Sequence, residues 1–189
     1  SDDAVRYVVR TQGRHAGRGV YLREAWETDR PSTVRVSLSP VFPRDADKRL
    51  LVDFEMSLRL ESTVDWIDAP GSLLLVHGGK SIDIQIDPTG LEPGGYFGEV
   101  LAFDASSNDS GPLLRIPVTV LRPVHLDASN NWTIEERLTY SPGEIRRWYL
   151  DVPEGATWVD LELQRHDSTT ARTVVVQATQ LEPGRPYTD

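Results

Sequence analysis

The chain has 189 residues, 39% of them apolar, which is enough for one large core or two small ones. A net charge of −9 makes nucleic acid a poor partner, and the absence of cysteine rules out disulfides and thiol chemistry and favours a reducing compartment. No apolar run approaches the ~20 residues of a membrane span, no signal-peptide pattern opens the chain, and it reads as a segment excised from a longer protein.

Residues 1–18 carry the local exception to the acidic balance, with Arg6, Arg10, Arg14 and Arg18 at steps of four. Gly13, Gly17 and Gly19 interrupt any regular element, so the sequence predicts an arm or linker here, solvated or bridging between domains, with a contact to an acidic neighbour as the alternative. From residue 19 the grammar changes to strict alternation. The alternating runs are Val34/Val36/Leu38, Phe54/Met56/Leu58/Leu60, Ile82/Ile84/Ile86, Val100/Ala102 and Leu114/Ile116/Val118/Val120, separated by Gly, Pro, Asn and Asp, and Gly19 to Arg23 and Leu73 to Val76 add two further strands. About seven strands in about 105 residues is the count and spacing of an immunoglobulin-like or fibronectin type III-like β-sandwich, assigned to residues 19–124.

Leu91-Glu92-Pro93-Gly94-Gly95-Tyr96 is the sharpest local signal. Leu91, Pro93 and Gly94 build a turn, and Tyr96 enters the next strand as a tyrosine corner, its hydroxyl turned back onto the upstream backbone and its ring in the core. The strand it opens is apolar on both faces. With Tyr96, Val100 and Ala102 directed inwards, Phe97, Leu101 and Phe103 point outwards as a candidate interface, because single domains seldom leave such a patch bare. Three occupants are open: the N-terminal arm around Val5 to Val9, the second domain, or a neighbouring domain of a larger protein.

Beyond Leu121-Arg122-Pro123 a second unit, residues 125–189, shows strand patterns over Trp132 to Leu138, Ile145 to Val152, Trp158 to Gln164 and Thr173 to Thr179. Pro142-Gly143 and Pro153-Glu154-Gly155 are turns, and Trp148, Leu150 and Val152 alternate with Tyr149 and Asp151, which assigns Trp148 to a core. Four or five strands are too few for a closed sandwich, so this unit is expected to be interrupted, with an unpaired edge. Leu181 to Tyr187 echoes Leu91 to Tyr96.

The chemistry-bearing patterns read as decoys. His77-Gly78 and Asp109-Ser110-Gly111 look like fragments of subtilisin motifs, but they stand in the wrong order and no serine motif accompanies them. Asp104, Ser106, Asn108 and Asp109 present oxygens without the glycine and distant glutamate of a calcium loop. His15, His77, His125 and His166 lack metal-ligand spacing. No catalytic, cofactor-binding or metal-binding residue is expected. Asn108 and Asn131 lie in glycosylation sequons, relevant only to a secreted protein. Exposed tryptophans among Trp26, Trp66, Trp132 and Trp158 keep open the alternative of a carbohydrate-binding or adhesive module.

In order and spacing, Gly19 to Glu24, Pro40-Val41-Phe42-Pro43, Ile86-Asp87-Pro88, Tyr96 to Val100, Gly111 to Thr119 and Pro142 to Trp158 resemble the region that follows the catalytic domain of the tripeptidyl-peptidase II family. The resemblance spans nearly the whole chain. It implies an immunoglobulin-like domain over residues 19–124 and the beginning of a galactose-binding-domain-like jelly roll over 125–189. The implied parent is a cytosolic, subtilisin-type serine exopeptidase that releases tripeptides from the N-termini of oligopeptides and stacks into homo-oligomers. The implied partners of this segment are other domains of the same chain, with no nucleic acid and no membrane. None of the family's catalytic motifs can be placed on these residues.

Overall fold

The computed structural model describes residues 5–11, 17–43, 46–107, 111–166 and 173–179. Among the described residues, nine strands make two facing sheets. They are β1 (Arg6–Thr11), β2 (Val20–Leu22), β3 (Ser32–Val41), β4 (Glu55–Ser62), β5 (Ile67–Asp68), β6 (Ser72–Val76), β7 (Lys80–Ile86), β8 (Gly94–Asp104) and β9 (Leu114–Arg122), with single-turn helices α1 (Ala25–Thr28) and α2 (Lys48–Val52) between them. One sheet has the order β1-β3-β7-β5 and the other β2-β9-β8-β4-β6.

Period-2 alternation sets the core. Val34, Val36 and Leu38 of β3 stand opposite Ile84, Ile82 and Lys80 of β7, and Val100 of β8 stands opposite Ile116 of β9. Val36, Leu38, Ile84, Leu58, Leu75, Val100, Ile116 and Val118 are fully buried between the sheets, while the residues between them face water. The opening strands switch sheets: β1 runs antiparallel to β3, and β2 runs parallel to β9 in the opposite sheet. Each thereby becomes an edge strand of its sheet, pairing the outer side of β3 in one and of β9 in the other.

The structure corrects the assignment of residues 1–18 to an arm. Within that span Arg6–Thr11 is β1, with Val9 opposite Leu38 and Thr11 opposite Val36, and both Val9 and Thr11 are buried. Arginines four apart fall on one face of a strand, and Arg6 and Arg10 are the exposed residues that alternate with the buried ones. Arg14 lies outside the described residues.

In the second unit the strand patterns are realised in only one place among the described residues. β10 (Val124–His125) pairs in parallel with β11 (Leu150–Asp151). Trp148, assigned to a core by its phase, is 42% exposed, and Val159, Leu161, Leu163 and Val175 are also exposed. The reason lies in pairing. Alternation selects which side chains share a face, but a strand also needs a partner for its N–H and C=O groups, and periodicity does not supply one. Leu181 to Tyr187 lies outside the described residues.

Candidate functional site

The loop that feeds β8 is held at both ends. Asp87 opens it, its carboxylate accepting from the Thr89 amide at 3.0 Å and the Thr89 hydroxyl at 2.6 Å; these bonds hold the Asp87 carboxyl below its usual range. The Leu91 amide closes a turn onto the Pro88 carbonyl at 3.0 Å. The Tyr96 hydroxyl then donates to the Glu92 carbonyl at 2.9 Å, and its ring packs against the core. This is the geometry of a tyrosine corner. Pro93 fixes the approach, and Gly94, with φ of 156°, lets the chain turn into the strand beneath the tyrosine ring.

Arg122 completes the loop and was not singled out from sequence. Its guanidinium donates to the Thr89 carbonyl at 3.1 Å and also to the Leu91 carbonyl. A signal existed: Arg122 falls in phase with the inward set Ile116, Val118 and Val120 of β9, and a cation in that phase at a strand end needs acceptors nearby.

Past the corner, β8 alternates as its chemistry requires. Gly98, Val100 and Ala102 are buried, whereas Phe97, Leu101 and Phe103 lie on the outer face. Phe97 is 60% exposed and stands opposite Thr119, while Leu101 stands opposite Arg115 and, on the other side, Glu61. Charged pairs flank the apolar row. Arg115 meets Glu99 at 2.9 Å, Arg59 meets Glu61, and the Arg59 guanidinium sits 4.8 Å over the Phe103 ring. Leu74 on β6 is exposed farther across the same sheet.

One end of this face is already occupied. A Cβ placed on Gly95, the residue preceding Phe97 on the outward side, would stand 3.2 Å from the Tyr149 hydroxyl and 3.4 Å from Leu121 Cδ2. Tyr149 belongs to the second unit, and its carbonyl accepts from the Val124 amide at 2.8 Å. The N-terminal occupant falls away, because β1 belongs to the opposite sheet.

The decoys resolve into turns where they are described. His77 and Gly78 lie in the turn between β6 and β7, where Gly79 N–H meets the Val76 carbonyl at 2.9 Å, and the His77 ring stacks on Phe42 with centroids 5.8 Å apart. The Asp104 carboxylate accepts from the Ser106 amide and hydroxyl at 2.8 and 2.6 Å. Asn108, Asp109, Ser110 and His15 lie outside the described residues. Among the described residues no group of three or more acidic or histidine side chains is placed to hold a metal. Asn131 is exposed in the left-handed region, with φ of 51°. Of the tryptophans, Trp66 packs against the core, whereas Trp26, Trp132, Trp148 and Trp158 are exposed. None of the five lies in a strand.

Comparison with known proteins returns one family for both parts of the chain. The model of the first Ig-like domain of tripeptidyl-peptidase II matches residues 5–121, and that of its galactose-binding domain-like unit matches residues 140–188. The chain is similar to tripeptidyl-peptidase 2 of Arabidopsis thaliana, 32% identical over 170 residues that are 89% of this chain and 12% of that protein. It is likewise similar to that of Drosophila melanogaster, 31% identical over 176 residues, 88% of this chain and 12% of the relative. A crystal structure of tripeptidyl peptidase 2 matches with a TM-score of 0.59 at 30% identity, covering 69% of this chain and 11% of the other. The chain therefore spans about an eighth of the length of the curated relatives it matches.

Proposed function

Because the chain belongs to the tripeptidyl-peptidase II family, we propose that it is a non-catalytic structural segment of a subtilisin-type serine exopeptidase that releases tripeptides from the N-termini of oligopeptides. On this proposal the segment packs against other domains of its own chain and supports a homo-oligomeric assembly in the cytoplasm. A chain without cysteine has no need of an oxidising compartment.

The observation that carries the structural role is the outward row Phe97, Leu101 and Phe103 on β8. Phe97 is 60% exposed in the middle of a five-stranded sheet, where apolar surface of this kind is characteristic of a docking face. The occupant proposed for it is a neighbouring domain of the same peptidase chain. The salt-bridged rim of Arg115, Glu99, Arg59 and Glu61 suits a covalently tethered partner, whose local concentration is high and whose contact can be partly polar.

The test of the non-catalytic role is direct. This chain, incubated with fluorogenic tripeptide substrates and an active-site serine label, is expected to give no turnover and no labelled serine. Turnover that survives repurification and is blocked by a serine-protease inhibitor would overturn the proposal.

A further inference from the structure

His125 lies at the seam between the sandwich and the second unit, with a carboxylate on each ring nitrogen. Nε2 is 3.1 Å from Asp29 Oδ1 and Nδ1 is 3.1 Å from Asp151 Oδ2. The two acids come from different bodies. Asp29 closes α1 within the sandwich, donating its N–H to the Ala25 carbonyl at 3.0 Å, and α1 is fixed by a capping box in which the buried Glu27 carboxylate accepts from the Glu24 amide. Asp151 is on β11 and is the register partner of His125 itself. The histidine backbone is held as well, its carbonyl accepting from the Asn130 side-chain amide at 2.6 Å.

The chemistry of that arrangement is restrictive. A neutral imidazole carries one N–H, so one of the two carboxylates would face a lone pair; only the imidazolium donates to both. We propose that the seam is a proton-operated joint, closed when His125 is an imidazolium clasped between Asp29 and Asp151 and loosened when the proton leaves. The Tyr149 side chain rides on the same joint, because Tyr149 adjoins Leu150 of β11 and rests at Gly95 on the outer sheet face. Opening the clasp therefore frees the end of the face that Tyr149 covers. Nothing in this proposal depends on the peptidase assignment.

The electrostatics agree with the geometry. Partial burial pushes the imidazole pKa down, but hydrogen bonds and charge from Asp29 and Asp151 outweigh it, so the value is raised from its ordinary 6.5. Asp127 of the same segment responds to the clasp in turn, its carboxyl held low first by the Ser129 hydroxyl and amide and in part by the charge on His125. A group whose pKa is raised in the closed state binds its proton more tightly there. The clasp's contribution is then fully present below pH 6.5 and is lost as pH rises through the raised value.

The test uses the chain as it stands, comparing wild type, His125→Gln and the double variant Asp29→Asn/Asp151→Asn, all of which change exposed side chains. NMR titration of the wild-type His125 ring is expected to give a pKa above 6.5, falling back towards it in the double variant. Protection of the Val124 amide, which bonds to the Tyr149 carbonyl, is measured relative to core amides of β9. It is expected to fall about two- to fivefold between mildly acidic and alkaline pH in wild type, as suits exposed ion pairs, and to be flat in His125→Gln. A wild-type pKa at or below the ordinary value overturns the proposal. So does Val124 protection that ignores pH in wild type or varies equally in His125→Gln.

Discussion

The Tyr96 hydroxyl and the Arg122 guanidinium act on one loop, the first donating to the Glu92 carbonyl and the second to the Thr89 and Leu91 carbonyls. Tyr96→Phe keeps the ring and removes the bond to the Glu92 carbonyl, so denaturant melts should show a loss of about 1 kcal/mol. A loss indistinguishable from zero would mean that water satisfies both groups. At Gly98 steric room decides the outcome: a Cβ there would meet Val64 Cγ2 at 2.5 Å and Ile67 Cδ1 at 2.8 Å. Gly98→Ala should therefore cost about 1–3 kcal/mol by overpacking, and a neutral melt would show that the Val64 to Ile67 stretch yields freely. The tyrosine corner was legible because proline, glycine and an aromatic residue in strand phase occur together within six positions. The partnership of His125 was not, since its carboxylates lie 96 and 26 residues away and nothing local marks either of them.

β1 shows how one spacing can hide another. Arginines at steps of four suit a helix face and a strand face alike, and the inward set of Tyr7, Val9 and Thr11 is too mixed to stand out as an alternation. The burial of Val9 separates a strand from an arm experimentally. Val9→Ala should destabilise the sandwich by about 1–2 kcal/mol, whereas Arg10→Ala, on the exposed side, should stay within about 0.5 kcal/mol. Equal and negligible effects would return residues 6–11 to an arm. For β3, β4, β7 and β9 the alternation was strong enough to give both the element and the inward face, whereas β8, apolar on both faces, was oriented only by its tyrosine corner, and β6, apolar from Leu73 to Val76, gave the element without the face. β5 is only two residues long and carries no such pattern.

At the scale of the whole molecule, two units of one family are joined at a narrow seam. The sandwich has a closed core, while the apolar side chains described from Ile145 to Val176 are mostly exposed. Amide exchange should accordingly be faster in residues 125–179 than in residues 19–124, and uniform protection would show that the second unit is packed as well as the first. Its apolar positions could be read from the sequence, but their partners could not, because pairing depends on contacts that no local pattern encodes. The outward row on β8 is proposed to dock the segment within a larger peptidase. The most direct test places Phe97→Ser/Leu101→Ser both in this chain and in a peptidase chain of the relatives' length. The expected result is an unchanged melt for the isolated chain, because neither residue is in the core, together with slower-sedimenting assemblies and weakened tripeptide release in the long chain. Wild-type sedimentation and activity in the long chain, or unfolding of the isolated one, would contradict it.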